Sequence, residues 1–164
     1  MQLSAVLITV LSFTATALPT SSPATVERRD YTFWSTVSDE GFYAAASPPD
    51  YYEDQILQFQ PSGAKGTASL VAKFPAGFAI SQSGAAAIDI YTRTSGGLGT
   101  KIGTAGPLPV SGGKITTAVN TVIANFAATS DLVFEFRIAS ETENGSLQFF
   151  ETADAGFFVR TETA

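Results

Sequence analysis

The chain has 164 residues, carries 15 Asp and Glu against 9 Lys and Arg, and contains neither histidine nor cysteine. Its length and its 45% hydrophobic content fit one globular domain. Without histidine there is no Ser-His-Asp triad and no histidine zinc ligand, and without cysteine there is no disulfide, thiolate nucleophile or cysteine-ligated metal. The formal net charge of -6 argues against a nucleic-acid partner.

The first residues have the pattern of a secretory signal peptide. A mostly apolar run extends from Leu3 to Phe13, and small residues then form an A-x-A cleavage site that ends at Ala17. The run is too short, and too rich in serine and threonine, to span a bilayer. We therefore predict a signal peptide over residues 1–17 and a protein secreted to the extracellular space or the cell wall. The alternative is an N-terminal strand of the mature fold.

A segment rich in proline, serine and threonine follows over residues 18–29 and ends in Arg28 and Arg29. Such a segment cannot bury a core, so its backbone is accessible to a protease. We predict a propeptide that a kexin-type enzyme cleaves after this basic pair, which leaves a domain over residues 30–164. Its removal takes away two arginines and one glutamate, so the mature chain is more acidic than the precursor. The alternative is a pair of surface arginines.

The remaining chain has the alternating apolar pattern of short strands, and no stretch carries a helical apolar stripe. Gly, Pro, Ser and Thr cluster between the strand-like runs. The pattern predicts an all-β fold, a single antiparallel β-sandwich or jelly roll of about eight to ten short strands. The runs are Tyr31–Val37, Asp54–Gln60, Ala68–Phe74, Ala87–Arg93, Lys114–Val119, Asn120–Ala127, Asp131–Ser140, Leu147–Glu151 and Gly156–Arg160.

The clearest alternation lies in the run DLVFEFRIAS. One side of this strand is formed by Leu132, Phe134, Phe136 and Ile138, and the other by Val133, Glu135 and Arg137. The first side is expected in the core, and the second side is expected to carry an ion pair between Glu135 and Arg137 or across strands. Similar strand positions predict core phenylalanines at Phe126, Phe134, Phe136, Phe149 and Phe157.

Two glycine-containing segments predict connections. The stretch Ser95–Gly113 is read as a long loop with at most a short edge strand at Leu108–Val110. Asn144 and Gly145 lie between strand-like runs, which predicts a type I′ hairpin turn with positive φ at both positions. Asn144 also begins an N-x-S sequon, so the secretory pathway would expose it to glycosylation.

Aromatic residues concentrate near the mature N-terminus, and there they have two interpretations. They cap the sandwich core, or they form an exposed strip on which a carbohydrate stacks its apolar C–H face. The best candidates for exposure and ligand binding are Trp34, Tyr51 and Tyr52.

Carboxylates provide the remaining candidate chemistry. Asp50, Glu53 and Asp54 cluster before a strand, where they form part of a calcium site or keep a sheet edge soluble. Asp131, Glu135, Glu151 and Asp154 would supply the acid and base of a glycosidase if two of them paired across strands. No pattern in the sequence identifies a catalytic residue, a metal site or a cofactor site.

Several strand motifs resemble the But-type C-terminal domain, a fungal family named for binding an activating enzyme of a ubiquitin-like protein. The matching segments are Leu70–Pro75, Gly84–Tyr91, Phe134–Arg137, Leu147–Glu151 and Ala155–Val159. The resemblance implies a β-sandwich and brings no catalytic residues. Because many members are secreted, and a secreted protein does not meet a cytosolic activating enzyme, the activity in the family name is not expected here.

These observations favour a secreted, non-enzymatic protein of fungal type, located at the cell surface, in the wall or in the medium. It would bind a glycan or a protein partner through a sandwich face or its loop end. The first alternative is a small carbohydrate-active enzyme that uses paired carboxylates, and another is a secreted protein that acts on a host or competitor organism. A row of exposed aromatics would favour glycan binding, and two carboxylates in a concave cleft would favour the enzyme.

Overall fold

The computed structural model describes residues 31–36, 41–63 and 65–162. The predicted signal peptide, the propeptide and the processing residues Ala17, Arg28 and Arg29 lie outside these ranges. The described residues contain no helix that could cross a membrane.

Fourteen strands make up the described chain. The first seven are β1 (Tyr31–Trp34), β2 (Gly41–Ser47), β3 (Tyr51–Glu53), β4 (Gln55–Phe59), β5 (Thr67–Phe74), β6 (Ser81–Gly84) and β7 (Ile88–Thr94). The others are β8 (Gly97–Ala105), β9 (Val110–Ser111), β10 (Lys114–Ile115), β11 (Val119–Ala127), β12 (Leu132–Ile138), β13 (Gly145–Phe150) and β14 (Gly156–Glu162). There are more strands than the sequence predicts because several are short and lack alternating apolar residues, as in the SQSG of β6.

The strands form three four-stranded sheets and one two-stranded ladder, and every strand pair is antiparallel. The first sheet has the order β1-β14-β5-β11, the second β4-β12-β7-β8 and the third β3-β2-β13-β6. The small ladder joins β9 and β10. In the first sheet Tyr31 lies opposite Glu162, so the two ends of the described domain meet at one corner. The all-β antiparallel prediction is confirmed, and the architecture is consistent with a β-sandwich.

All three large sheets contribute rings to one core. Phe42 and Phe149 of the third sheet stack with ring centroids 4.7 Å apart, and Phe157 of the first sheet lies 4.7 Å from Phe136 of the second. Phe74 packs edge-on against Phe149 at 5.0 Å. The predicted core phenylalanines are confirmed, and Phe126, the least buried of them, packs against Phe134 at 5.3 Å.

The prediction that Ser95–Gly113 is a long loop is wrong. Residues Gly97–Ala105 form β8, which pairs with β7 through a tight hairpin in which Thr94 lies opposite Gly97. Two glycines of this strand let other backbones approach closely: a Cβ on Gly99 would lie 2.8 Å from the carbonyl oxygen of Thr92 in β7, and a Cβ on Gly103 would lie 3.0 Å from that of Ile123 in β11. At these two positions the neighbouring chain leaves no room for a side chain, so glycine is required within the strand.

The predicted type I′ turn at Asn144 and Gly145 is also wrong. No residue other than glycine has a positive φ in the described ranges, and Gly145 is not among the glycines that do. Gly145 is instead the first residue of β13, and a Cβ there would lie 2.1 Å from the carbonyl oxygen of Ala85. Glycine is required at this position for close backbone contact rather than for a turn.

Candidate functional site

The outer face of the second sheet carries several charged and aromatic side chains. In β12 the core side is taken by Phe134 and Phe136, so alternation turns Glu135 and Arg137 to the other side. The same alternation in β7 buries Ile88 and Ile90 in the core. It turns three side chains to the outer face: Asp89, Tyr91 and Arg93.

The strand register then brings these side chains together. Arg137 lies opposite Asp89, and Glu135 lies opposite Tyr91. The guanidinium of Arg137 lies 5.6 Å from the centre of the Tyr91 ring, and its Nε lies 3.1 Å from Oδ2 of Asp54, just before β4. Alternation along single strands and cross-strand pairing together concentrate this polar group on one face.

A groove of about 490 Å³ opens on this face. It is lined by Tyr52, Asp54, Asp89, Tyr91, Arg137 and the segment Ile138–Glu141. Its volume lies within the range of small-ligand sites in proteins. We call it the polar groove.

Glu135 anchors the charged network next to the polar groove. The residue is 2% exposed, and each carboxylate oxygen accepts from one arginine, Oε1 from Arg137 and Oε2 from Arg93. Burial alone would raise the pKa of Glu135, but the hydrogen bonds and charges of Arg137 and Arg93 lower it overall. Burial also opposes the charge of Arg137, whose pKa is nevertheless raised by Glu135 and Asp54. This network fixes the guanidinium of Arg137 in place.

The groove carboxylates differ in their surroundings. Asp54 has its pKa raised, mainly because partial burial disfavours its charged form, with repulsion from Glu135 adding to the effect and attraction to Arg137 opposing it. Asp89 is held by Lys101, whose Nζ lies 2.7 Å from Oδ2, and by the hydroxyl of Thr104 at 2.6 Å. The groove therefore presents hydrogen-bonding groups whose positions are set by ion pairs.

The three aromatic candidates lie in different places. Tyr52, 52% exposed, borders the polar groove. Tyr51 neighbours it in β3 and donates its hydroxyl to Glu53, which raises the pKa of Tyr51 to about 12. Trp34 lies in the first sheet, packs against the core and donates its indole N–H to Thr161 at 3.1 Å. The three residues do not form a continuous strip.

The candidate carboxylates are dispersed as well. Asp131 accepts from Gln58 at 2.7 Å, and Asp154 lies 3.4 Å from Lys73. Glu151 accepts from Thr36 at 2.7 Å and from the backbone N–H of Phe157 at 3.2 Å. Because burial outweighs these hydrogen bonds, the pKa of Glu151 is raised. Each predicted acid or base thus has a different partner.

Two further candidates are placed by the structure. Of the predicted calcium cluster, Glu53 accepts from Tyr51 and Asp54 binds Arg137, and the described residues contain no group of three or more acidic side chains that could hold a metal ion.

Asn144 is exposed in the loop before β13, and its sequon serine, Ser146, lies inside that strand.

Sequence reasoning identified Asp54, Glu135 and Arg137 but did not connect them with Asp89, Tyr91 and Arg93. The alternation of I-D-I-Y-T-R contains the signal, because it turns these three polar residues to one face. The register in which β7 pairs with β12 cannot be predicted from a single sequence.

No family model, curated protein or solved structure matches the chain. The resemblance to the But-type domain therefore stays a prediction.

Proposed function

We propose that this protein is a secreted, non-enzymatic carbohydrate-binding β-sandwich of fungal type, which acts at the cell surface, in the wall or in the medium. The observation that carries the proposal is the polar groove, where the exposed ring of Tyr52 lies beside charged groups that are already fixed by ion pairs.

A tyrosine ring and a sugar ring have complementary surfaces. The axial C–H groups of a pyranose form an apolar face, which stacks on the π-face of an aromatic ring. Tyr52 is more than half exposed at the rim of the groove, and Tyr91 lies deeper, against the guanidinium of Arg137. Tyr52 is therefore the stacking residue in this proposal.

Sugar hydroxyls need donors and acceptors in fixed positions. Asp54 and Asp89 offer carboxylate oxygens, and Arg137 offers guanidinium N–H groups. Because Glu135 and Lys101 hold these side chains before a ligand arrives, little conformational entropy is lost when they bind it. These features support recognition of a neutral glycan by stacking and hydrogen bonding.

One observation favours the second candidate, a small glycosidase. Asp54 and Glu135 interact, and their pKa values are moved in opposite directions, which is the pattern of a catalytic acid and its partner. Both oxygens of Glu135 are bound to arginines, however, so this carboxylate is not available as a nucleophile or base. Asp89, the carboxylate that lines the groove together with Asp54, has both oxygens engaged as well, one by Lys101 and the other by Thr104. Binding without hydrolysis is therefore the better-supported function.

The test is a glycan array and a polysaccharide pull-down with the purified mature protein, together with a reducing-sugar release assay. We expect binding to at least one neutral glycan, loss of most of that binding in Tyr52→Ala, and no sugar release. Tyr51→Ala is the matched control, because it removes the neighbouring tyrosine, which does not line the groove.

Three outcomes would contradict the proposal. Equal binding by Tyr52→Ala and wild type would show that the polar groove is not the glycan-binding site. Sugar release that depends on Asp54 would favour the enzyme. Failure to bind any glycan would leave the protein-partner interpretation, with an exposed sheet face as the interface.

A further inference from the structure

The outer face of the first sheet carries an arginine that has no carboxylate partner among the described residues. Three arginines lie in the described ranges, and two of them, Arg93 and Arg137, bind Glu135. The third, Arg160, is half-buried in β14, and no described carboxylate lies within ion-pair distance of it.

The surroundings of Arg160 hold its guanidinium against the aromatic ring of Tyr31. Alternation in β14 places Arg160 on the side away from Phe157 and Val159, which belong to the core. Its Cζ lies 4.2 Å from the centre of the Tyr31 ring. Phe33 is its register partner in β1. Among the described residues, stacking on Tyr31 rather than an ion pair holds this charge.

A second cation lies on the same face. The Nζ of Lys73 is 5.3 Å from the centre of the Phe33 ring. Its carboxylate partner, Asp154, is 85% exposed at 3.4 Å and holds it weakly. We call the four residues Tyr31, Phe33, Lys73 and Arg160 the cation face.

The guanidinium of Arg160 is incompletely satisfied. Its Nε is buried and has no hydrogen-bond acceptor in the part of the chain that the structure describes. An unpaired buried donor is rare in proteins, and so is a half-buried charge without a counter-charge, because each loses solvation without replacing it. An anion bound by the guanidinium would offset the cost of the charge.

The guanidinium and the two aromatic rings of this face indicate which kind of anion would bind there. A planar carboxylate matches the fork of a guanidinium, and the rings of Tyr31 and Phe33, each 38% exposed, offer an apolar surface beside it. A uronic acid has both parts, an apolar sugar face and one carboxylate. A long polyanion fits less well, because the chain is acidic overall and Asp154 and Glu162 lie at the edge of the face.

We infer that the cation face binds the carboxylate of a uronic acid residue in an acidic glycan. The face lies on the first sheet and the polar groove on the second, so this inference does not rest on the proposed function.

The probe is a trisaccharide of galacturonic acid, with its fully methyl-esterified form as a neutral match, titrated into the mature protein at physiological ionic strength. The Nε–H resonances of the arginines give a residue-specific readout. We expect the resonance of Arg160 to move with the acid and not with the ester, while those of Arg93 and Arg137 stay in place.

Variants test the same point. We expect Arg160→Gln to weaken binding about tenfold or more, because a charge-assisted pair is lost. Arg160→Lys should fall between this variant and wild type, since it keeps the charge without the fork. Tyr52→Ala, which changes the polar groove, should leave this affinity unchanged.

Several results would overturn the inference. They are equal affinity for the acid and the ester, unchanged affinity in Arg160→Gln, or equal binding of a tri-aspartate peptide, which would make the occupant a peptide. Loss of binding in Tyr52→Ala with no movement of the Arg160 resonance would put the acidic glycan in the polar groove. If Arg160→Gln does not fold, the wild-type resonances decide alone.

Discussion

Glu135 and Arg137 lie two residues apart in β12, and Nε of Arg137 donates to Oε1 of Glu135 at 2.8 Å. The predicted ion pair between these residues is confirmed. The structure adds Arg93 from β7, which donates to the other oxygen of the same carboxylate. One nearly inaccessible carboxylate thus orders two arginines on a face that is otherwise partly open to solvent.

Glu135→Gln tests the strength of this network. The variant keeps the shape of the side chain but removes the charge that both arginines bind. Because the arginines are partly exposed and can be resolvated, we expect a loss of about 1–3 kcal/mol in chemical denaturation at pH 7. Asp131→Asn, at an exposed carboxylate, is the control and should change stability by less than about 0.5 kcal/mol. Equal stability of the two variants would contradict the assigned network.

Phe136→Ala tests the core. The ring is fully buried and packs against Phe42 and Phe157 from the two other large sheets, so its removal leaves a cavity. We expect a loss of about 3–5 kcal/mol in the free energy of unfolding. Phe150→Ala removes the same side chain where it is 72% exposed, and its effect should stay within about 0.5 kcal/mol. A cost below 1 kcal/mol for Phe136→Ala would show that this strand is wrongly assigned.

Gly145→Ala distinguishes close contact from turn geometry. Because the added Cβ would collide with the backbone of Ala85, we expect a loss of at least about 1–3 kcal/mol, as in overpacked cores. Gly96→Ala is the control, because the nearest atom to its Cβ is the Thr94 hydroxyl at 3.6 Å and its φ is not positive. Thermal melts of both variants give the comparison, and an unaffected Gly145→Ala would refute the close approach.

The pH dependence of stability has contributions of opposite sign. Burial raises the pKa of Glu151 above its ordinary 4.5. The stability that protonated Glu151 contributes is therefore fully present below pH 4.5 and is lost as pH rises through the pKa of the folded state. Burial would raise the pKa of Glu135, but Arg137 and Arg93 lower it overall. The stability that ionised Glu135 contributes is therefore present above pH 4.5 and is lost as pH falls through the pKa of the folded state.

Glu151→Gln isolates the first contribution. The amide oxygen can accept from the N–H of Phe157, its NH2 group can donate to the hydroxyl oxygen of Thr36, and the side chain never carries a charge. We expect the variant to gain stability relative to wild type at pH 7–8 and to match it near pH 4. Thermal melts from pH 4 to 9 provide the measurement, with Asp154→Asn as an exposed control. A difference from wild type that does not change with pH would contradict the raised pKa.

Processing is open to a direct mass measurement. Cleavage after Arg29 would leave Asp30 as the first residue, next to the start of β1 at Tyr31, so the strand would be kept whole. We expect the intact mass of secreted protein to correspond to residues 30–164, plus a glycan where Asn144 is occupied. A mature chain that begins at Leu18 would contradict the propeptide, and retention of Met1 would contradict the signal peptide.

Much of the fold could be predicted from local patterns. Alternation alone located the buried face of β12 and the ion pair on its other side, because side-chain direction in a strand depends only on position. The two errors have one cause. Local patterns treat glycine as a source of backbone freedom, whereas Gly103 and Gly145 are needed because another chain segment passes too close for a side chain.

The candidate site was less accessible to sequence reasoning. Asp54 and Arg137 are 83 positions apart, and their contact depends on the register in which β4 pairs with β12. No sequence pattern marks Arg160, because its lack of a carboxylate partner among the described residues is visible only when its neighbours are known. The sequence indicates which residue types are present, but it does not show which of these side chains the fold brings together.

The register of β1 on β14 has a consequence for how this domain can be attached to other molecules. Tyr31 and Glu162 face each other in an antiparallel pair, so their Cα atoms are about 5 Å apart. A tether at either end would hold the sandwich by the same corner. Joining these ends with a short linker and opening the chain at the β7–β8 hairpin would give a circular permutant that retains every strand.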